Sequence, residues 1–300
     1  FMAGGYAAGV GFQITRTIEE YSLVNDGNKS AHGNLIARGT EVAGDFGTGF
    51  NQGNGSSTHG YASGGSFRTP WQDTNAIDKF AFASNVTATD QGDLVTKLHN
   101  SSTQNSLTHG YVTGGYKPDA PTARRSAYQR FSFASTGNAS DVGNLIKAVQ
   151  NCFGASSNTH GYSSGGYDTS DQYSSSIERF SFASNGACTD VGYLTQGVQN
   201  GAMAGVSTVS YGYVAGGTTG SNTDRIDKFS FVSNGNASAV GSLTSARIAP
   251  GSASSVTHGY CVGGSGPIDT IQKWSYASDG TSSNIGTLTA ARQNGACSQF

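Results

Sequence analysis

One five-residue pattern, an aromatic residue, any two residues and Gly-Gly, returns six times along the chain and constrains its fold more than any other feature. It runs Phe1 to Gly5, Tyr61 to Gly65, Tyr111 to Gly115, Tyr162 to Gly166, Tyr213 to Gly217 and Tyr260 to Gly264. The second glycines fall at 5, 65, 115, 166, 217 and 264, so the intervals are 60, 50, 51, 51 and 47 residues. Self-similarity at this period marks a propeller or a solenoid. Two further anchors keep the same beat. A strand of the type Ile-acid-base-Phe-Ser-Phe-Ala-Ser begins at Ile77, Tyr128, Ile177, Ile226 and Ile271, with a looser copy at Ile18. A segment Gly-x-Leu ends at Leu35, Leu94, Leu145, Leu194, Leu243 and Leu288.

Each repeat reads as four short strands. Strand a follows the Leu, strand b is the aromatic-x-x-Gly-Gly segment, strand c the Phe-Ser-Phe segment and strand d the Gly-x-Leu segment. Strand c alternates with period two and has an aromatic and β-branched bias. Asn, Asp and Gly between c and d favour tight turns, because they tolerate positive φ. Four antiparallel strands per repeat make one blade, and radial closure of blades leaves only short edges. The expectation is a single all-β domain over residues 1–300, a six-bladed β-propeller of four-stranded antiparallel blades. The chain begins in strand b, and Asn294 to Phe300 align with strand a of the other repeats. The last blade is therefore expected to be closed by both termini; a solenoid would instead need unlike capping repeats.

Composition narrows the function. Charged residues are 12% of the chain, against about 25% in an average protein, and the 44 glycines are accompanied by regularly spaced aromatics. That regularity separates the chain from low-complexity disorder. A net charge of −2 carries no basic footprint for nucleic acid, and no apolar run approaches a membrane span. Cys152, Cys188, Cys261 and Cys297 have no metal-ligand spacing and read as free thiols packed as small apolar residues. No metal or cofactor is expected.

The Gly-Gly pair, the period and the Ile-Glu-Arg-Phe type of strand c resemble kelch repeats, the group that includes galactose-oxidase-like propellers. One departure is that kelch repeats carry a Trp after strand c, where this chain has Val-Gly-x-Leu. More closely, Thr159 to Gly166 (Thr-His-Gly-Tyr-x-x-Gly-Gly) with Phe180 to Leu194 is similar to repeat proteins of tailed bacteriophages, especially those of marine bacteria. That resemblance implies a virion fibre, adhesin or decoration protein, located on the virion surface or outside the cell.

Loop lengths divide the molecule into two faces. From the first aromatic of strand c to the Leu after strand d is 14 residues in every repeat, whereas the second Gly lies 13, 12, 13, 11, 9 and 7 residues before strand c. The a–b and c–d turns thus form a uniform face, and the b–c and d–a loops a diversified one. The diversified loops carry Phe67, Arg68 and Trp71; Tyr116, Lys117, Arg124 and Arg125; Tyr167, Asp168 and Tyr173; and Asp224 and Arg225. Loops on a rigid scaffold concentrate binding residues, and Trp, Tyr and Arg dominate hot spots. These twelve are the candidate ligand-binding residues, for a host-surface glycan or protein or a neighbouring virion subunit.

No catalytic constellation stands out, so the chain is expected not to be an enzyme; a lyase or hydrolase working in the central channel is the weaker reading. A cellular kelch-like scaffold, cytoplasmic rather than extracellular, is the alternative binding class. His59, His109, His160 and His258 each open the same His-Gly-Tyr turn and read as structural, with Tyr211 replacing them in one repeat. His32 and His99 are isolated and read the same way. The acid–base pairs of strand c (Asp78-Lys79, Glu178-Arg179, Asp227-Lys228) point to opposite faces of their strand and are expected to bridge blades or strands as exposed pairs.

Overall fold

The computed structural model describes residues 1–7, 13–23, 26, 30–37, 52–67, 72–119, 123–200, 206–266 and 268–298. They form six antiparallel sheets arranged as the blades of a propeller. The first blade orders Gln52–Gly55, His59–Ser63, Ala76–Ala81 and Thr89–Asp93 from inside to outside. The second runs Ser102–Asn105, His109–Thr113, Arg125–Ser132 and Ser140–Gln150. The third has Phe153–Ser156, His160–Ser164, Ser176–Ser181 and Thr189–Tyr193. The fourth has Val206–Ser207, Tyr211–Ala215, Arg225–Ser230 and Ser238–Ser242. The fifth has Gly251–Ser254, His258–Val262, Thr270–Ser275 and Ser283–Thr287.

Both chain ends build the sixth blade, as the repeat spacing requires. Ala296–Cys297 supplies its inner strand and pairs with Met2–Ala3, followed outward by Thr17–Glu20 and Ser30–Asn34. The register is Met2 opposite Cys297. The Phe1 amino group donates to the Ser298 carbonyl at 2.9 Å, and the Ser298 N–H returns a bond to the Phe1 carbonyl at 3.0 Å.

The sequence anchors answer to packing contacts within a blade or between neighbouring blades. The aromatic of strand b stacks on the second aromatic of strand c in the next blade: Tyr61 on Phe133, Tyr111 on Phe182, Tyr162 on Phe231, Tyr213 on Tyr276 and Phe1 on Phe82, at 4.4–4.9 Å between centroids. The Gly of His-Gly-Tyr makes room for the first aromatic of its own strand c. A Cβ at Gly161 would lie 2.3 Å from Phe180 Cζ. Gly-x-Leu is an annealing device: a Cβ at Gly192 would lie 2.1 Å from the Gly235 carbonyl oxygen. There the turn of the next blade hydrogen-bonds to the outer strand, Gly235 N–H to Val191 and Ala237 N–H to Tyr193.

In the Gly-Gly pair, Gly165 and Gly166 have φ of +62° and +99°, a region only glycine adopts without strain. The Gly166 N–H reaches the Val198 carbonyl. The four cysteines are all buried and unpaired with one another, and burial pushes the Cys188 and Cys261 thiols up to about 12.

The acids of strand c correct one expectation. They bridge to a neighbouring blade as expected, but as buried acceptors of backbone N–H groups rather than as exposed ion pairs. In all six blades the residue at this position binds the N–H that follows the Leu of the preceding blade. Asp78 holds Ile36, Gln129 holds Val95, Glu178 holds Ile146, Asp227 holds Thr195, Gln272 holds Thr244 and Glu19 holds Thr289, at 2.6–3.2 Å. In the third, fourth and fifth blades the base beside this acceptor reaches the other way. Arg179 donates to Asn234, Lys228 pairs with Asp279 and Lys273 with Asp26, all on the following blade.

Candidate functional site on the loop face

The b–c and d–a connections are built rather than merely long. Ser66–Phe67 pairs with Gln72–Asp73 as a short hairpin. Tyr167–Asp168 extends the second blade by pairing with Val149 and Gln150, and Tyr6–Ala7 joins Arg292–Gln293 to Gln13–Ile14. These pieces form a second tier above the blades, on the face where loop length varies. The first repeat interval, 60 residues, is the longest, and the Gly-rich stretch that lengthens it, from Glu41 to Ser57, lies mostly outside the described residues.

Part of the expected loop set comes together. Tyr116 is half-buried and its backbone bridges both His99 and Arg124. Its ring lies 5.3 Å from the His99 imidazole. His99 Nδ1 is 3.0 Å from Asp73 Oδ2, and Asp73 Oδ1 accepts the Ser66 hydroxyl at 2.6 Å. Arg124 sits with its guanidinium 4.4 Å from the Tyr167 ring centre and pairs with Asp171 at 2.8 Å. The Nε of Arg124 is buried without a hydrogen-bond partner. Tyr167 meets Tyr173 at 5.5 Å between rings. Tyr173, 38% exposed, lies 4.0 Å from the position of a Cβ on Gly220. A chain of contacts therefore runs from Asp73 in the first blade through His99 and Tyr116, across a backbone bridge to Arg124, and on through Tyr167 to Tyr173 beside the fourth blade.

Other members of the set serve their own loops. Asp168 is buried, and its Oδ1 accepts the N–H groups of Ser170 and Gln172 in an Asx turn. Arg225 pairs with Asp227, the acceptor that clasps Thr195, at 2.9 Å. Arg125 opens strand c of the second blade, and its charge opposes the rise that burial gives the Asp141 carboxyl. Lys117 bonds through its backbone to Ala123, and Asp224 is exposed while its carbonyl accepts the Leu243 N–H. Phe67 is half-buried in its hairpin. Arg68 and Trp71 lie outside the described residues.

Sequence reasoning missed the groups that line a hollow bordered by this line. Gln72, Asp73, Lys97, Pro118 and Asp119 surround a cleft of about 310 Å³ between the first and second blades. His99 and Asp73 are 26 residues apart and belong to different blades, so no local pattern joins them. The only available signal was that d–a residues share a face with the b–c loops.

The histidines of the opposite face behave as turn residues. In each of the four His-Gly-Tyr copies, Nδ1 lies 2.8 Å from the hydroxyl of the preceding Thr. Partial burial, then the cation of strand c, lowers the pKa of each. Among the described residues no group of three or more His, Cys, Asp or Glu is arranged to hold a metal ion. Nor is any helix there long and apolar enough to cross a membrane. The chain matches no protein-family model, and a search of curated proteins returns no relative.

Proposed function

We propose that this chain is a non-enzymatic binding module that recognises its partner through the loop face. In this reading it belongs to a virion surface or appendage, and the partner is a host-surface glycan or protein or a neighbouring virion subunit. The line Asp73–His99–Tyr116–Arg124–Tyr167–Tyr173 carries the proposal, because it sets aromatic rings, a guanidinium and carboxylates side by side on a rigid scaffold. Aromatic and Arg side chains held in place give contact area at low entropic cost.

The turn face supports a second contact. Leu107, Val209 and Val256 are 91%, 77% and 95% exposed, and all three cap a–b turns. Val232, at a c–d turn of the fourth blade, is 84% exposed. Apolar tips on one side of a disc suit docking onto a protein surface, either the particle or, in the alternative of a cellular kelch-like scaffold, a protein partner.

The test is a screen of the whole chain against a glycan array and a displayed random-peptide library. Its two controls are a loop-face variant (Arg124→Ala, Tyr167→Ala, Tyr173→Ala) and a turn-face variant (Leu107→Ser, Val256→Ser). Ligands selected by the wild type should lose about tenfold or more in affinity with the loop-face variant and keep it with the turn-face variant. The reverse pattern overturns the loop-face reading. Mass spectrometry of purified particles decides the location, and a chain absent from every virion removes the virion assignment.

A further inference from the structure

The cleft between the first and second blades is small, open and polar. Its volume of about 310 Å³ lies at the lower end of small-molecule sites, which span about 300–1,000 Å³. That is room for one or two sugar rings and too little for a cluster of side chains from a folded partner. Gln72 comes from the b–c hairpin of the first blade, Lys97 from the connection between the blades, and Pro118 and Asp119 from the b–c loop of the second. All four are exposed. Asp73 forms the buried part of the wall, 8% exposed.

The state of these groups selects a ligand chemistry. Both oxygens of Asp73 are engaged, by Ser66 and by His99, which holds this carboxylate rigid. Neither Lys97 nor Asp119 makes an ion pair among the described residues, although both face the same hollow. An ammonium with donors to give and a carboxylate with acceptors to fill are thus presented together. Among the described residues that line the cleft, two carboxylates stand against one ammonium, so an anionic ligand meets net repulsion. A cationic ligand meets Lys97. A neutral ligand with adjacent hydroxyls satisfies both, donating to Asp119 and accepting from Lys97, with Gln72 able to do either. Charge-assisted hydrogen bonds of this kind are the stronger ones. Among the described lining residues Pro118 offers an apolar surface, suited to the C–H face of a ring.

We infer that this cleft binds a neutral pyranose sugar. The inference rests on the loop-face reading above and names the ligand class of one part of that face.

The experiment titrates the whole chain with methyl glycosides of glucose, galactose, mannose and N-acetylglucosamine, by calorimetry and saturation-transfer NMR. Glucuronic acid, glucosamine and sorbitol serve as the anionic, cationic and open-chain probes. At least one neutral pyranoside should bind saturably in the millimolar range and more tightly than all three of these. Lys97→Met and Asp119→Asn should each weaken it about tenfold while leaving the melting curve in place, because both side chains are exposed and neither makes an ion pair among the described residues. Gln72→Ala provides a third variant that also leaves the blades intact. Absence of saturable pyranoside binding overturns the inference. So does equal binding of sorbitol or of either charged sugar, or binding that none of the three variants weakens.

The two readings fail separately. A ligand from the array or peptide screen that is lost with the Arg124/Tyr167/Tyr173 variant, but is neither displaced by pyranosides nor weakened by the cleft variants, removes the sugar site and leaves the loop face standing. A ligand insensitive to both sets of variants removes both.

Discussion

Arg247 shows how much one side chain depends on its place in the ring. It follows Leu243 by four residues, as Arg292 follows Leu288, and both are buried. Their bonds correspond. Arg292 donates to the carbonyls of Gly4 and Thr17, and Arg247 to those of Gly263 and Thr270. Arg292 also pairs with Glu19, whereas the position equivalent to Glu19 is Gln272 in the blade that Arg247 faces. The other terminal nitrogen of Arg247 donates to the hydroxyls of Ser245 and Thr270, and its Nε is buried without a hydrogen-bond partner. A buried cation held only by neutral dipoles costs more than one with a counter-charge. Gln272→Glu keeps the acceptor that holds Thr244 and adds the missing charge. It is expected to raise the melting temperature by a few degrees, about 2–4 °C per kcal/mol in a chain of this size. The check is a thermal melt at neutral pH beside Gln272→Leu, which should lower it.

At the scale of the element, strand c is both the centre of a blade and its fastening to the one before. The buried acceptor at its second position takes an N–H that would otherwise be enclosed without a partner. Glu178 serves two, from Ile146 and Lys147, at 2.6 and 3.3 Å. Burial raises its carboxyl pKa, opposed by those two bonds. Removing the acceptor leaves both donors unmet, so Glu178→Ala is expected to cost about 2–4 kcal/mol. Glu178→Gln keeps an acceptor and relieves the desolvated charge, as Gln129 and Gln272 already do in their blades. It should be close to neutral. Urea unfolding of the two variants separates these outcomes, and equal losses would show that the charge rather than the hydrogen bond fastens the blades.

Strand identity was legible at this scale because alternation and turn chemistry act within a few residues. The direction in which the acid and base of strand c reach was not. Both were expected at the surface, yet the acid turns inward to the preceding blade, since the chain around each Leu must find an acceptor there.

For the molecule as a whole, closure rests on a few residues at each end. Ala296–Cys297 gives the sixth blade its inner strand, and Met2, Tyr260 and Cys297 share one core cluster. Deleting residues 294–300 removes that strand and uncovers the flank of the first blade, where Ser298 reaches the Tyr61 carbonyl. The melting temperature should fall by about 10 °C or more, followed by circular dichroism at the strand signal. An unchanged melt would show that the ring holds without the joint.

The number of blades, the order of strands within each and the joining of the two ends were all determined by the sequence, because a repeat of fixed length can bury its faces only against copies of itself. The candidate site was legible only in part. Tyr116, Arg124, Tyr167 and Tyr173 were visible as aromatic and basic residues in loops of unequal length. Lys97, His99, Asp73 and Asp119 were not, since they come from three different connections and carry no motif. Their meeting was decided by the tertiary structure: the rotation from one blade to the next brings the loop of one against the connection leading to the other, and no spacing along the chain encodes that angle.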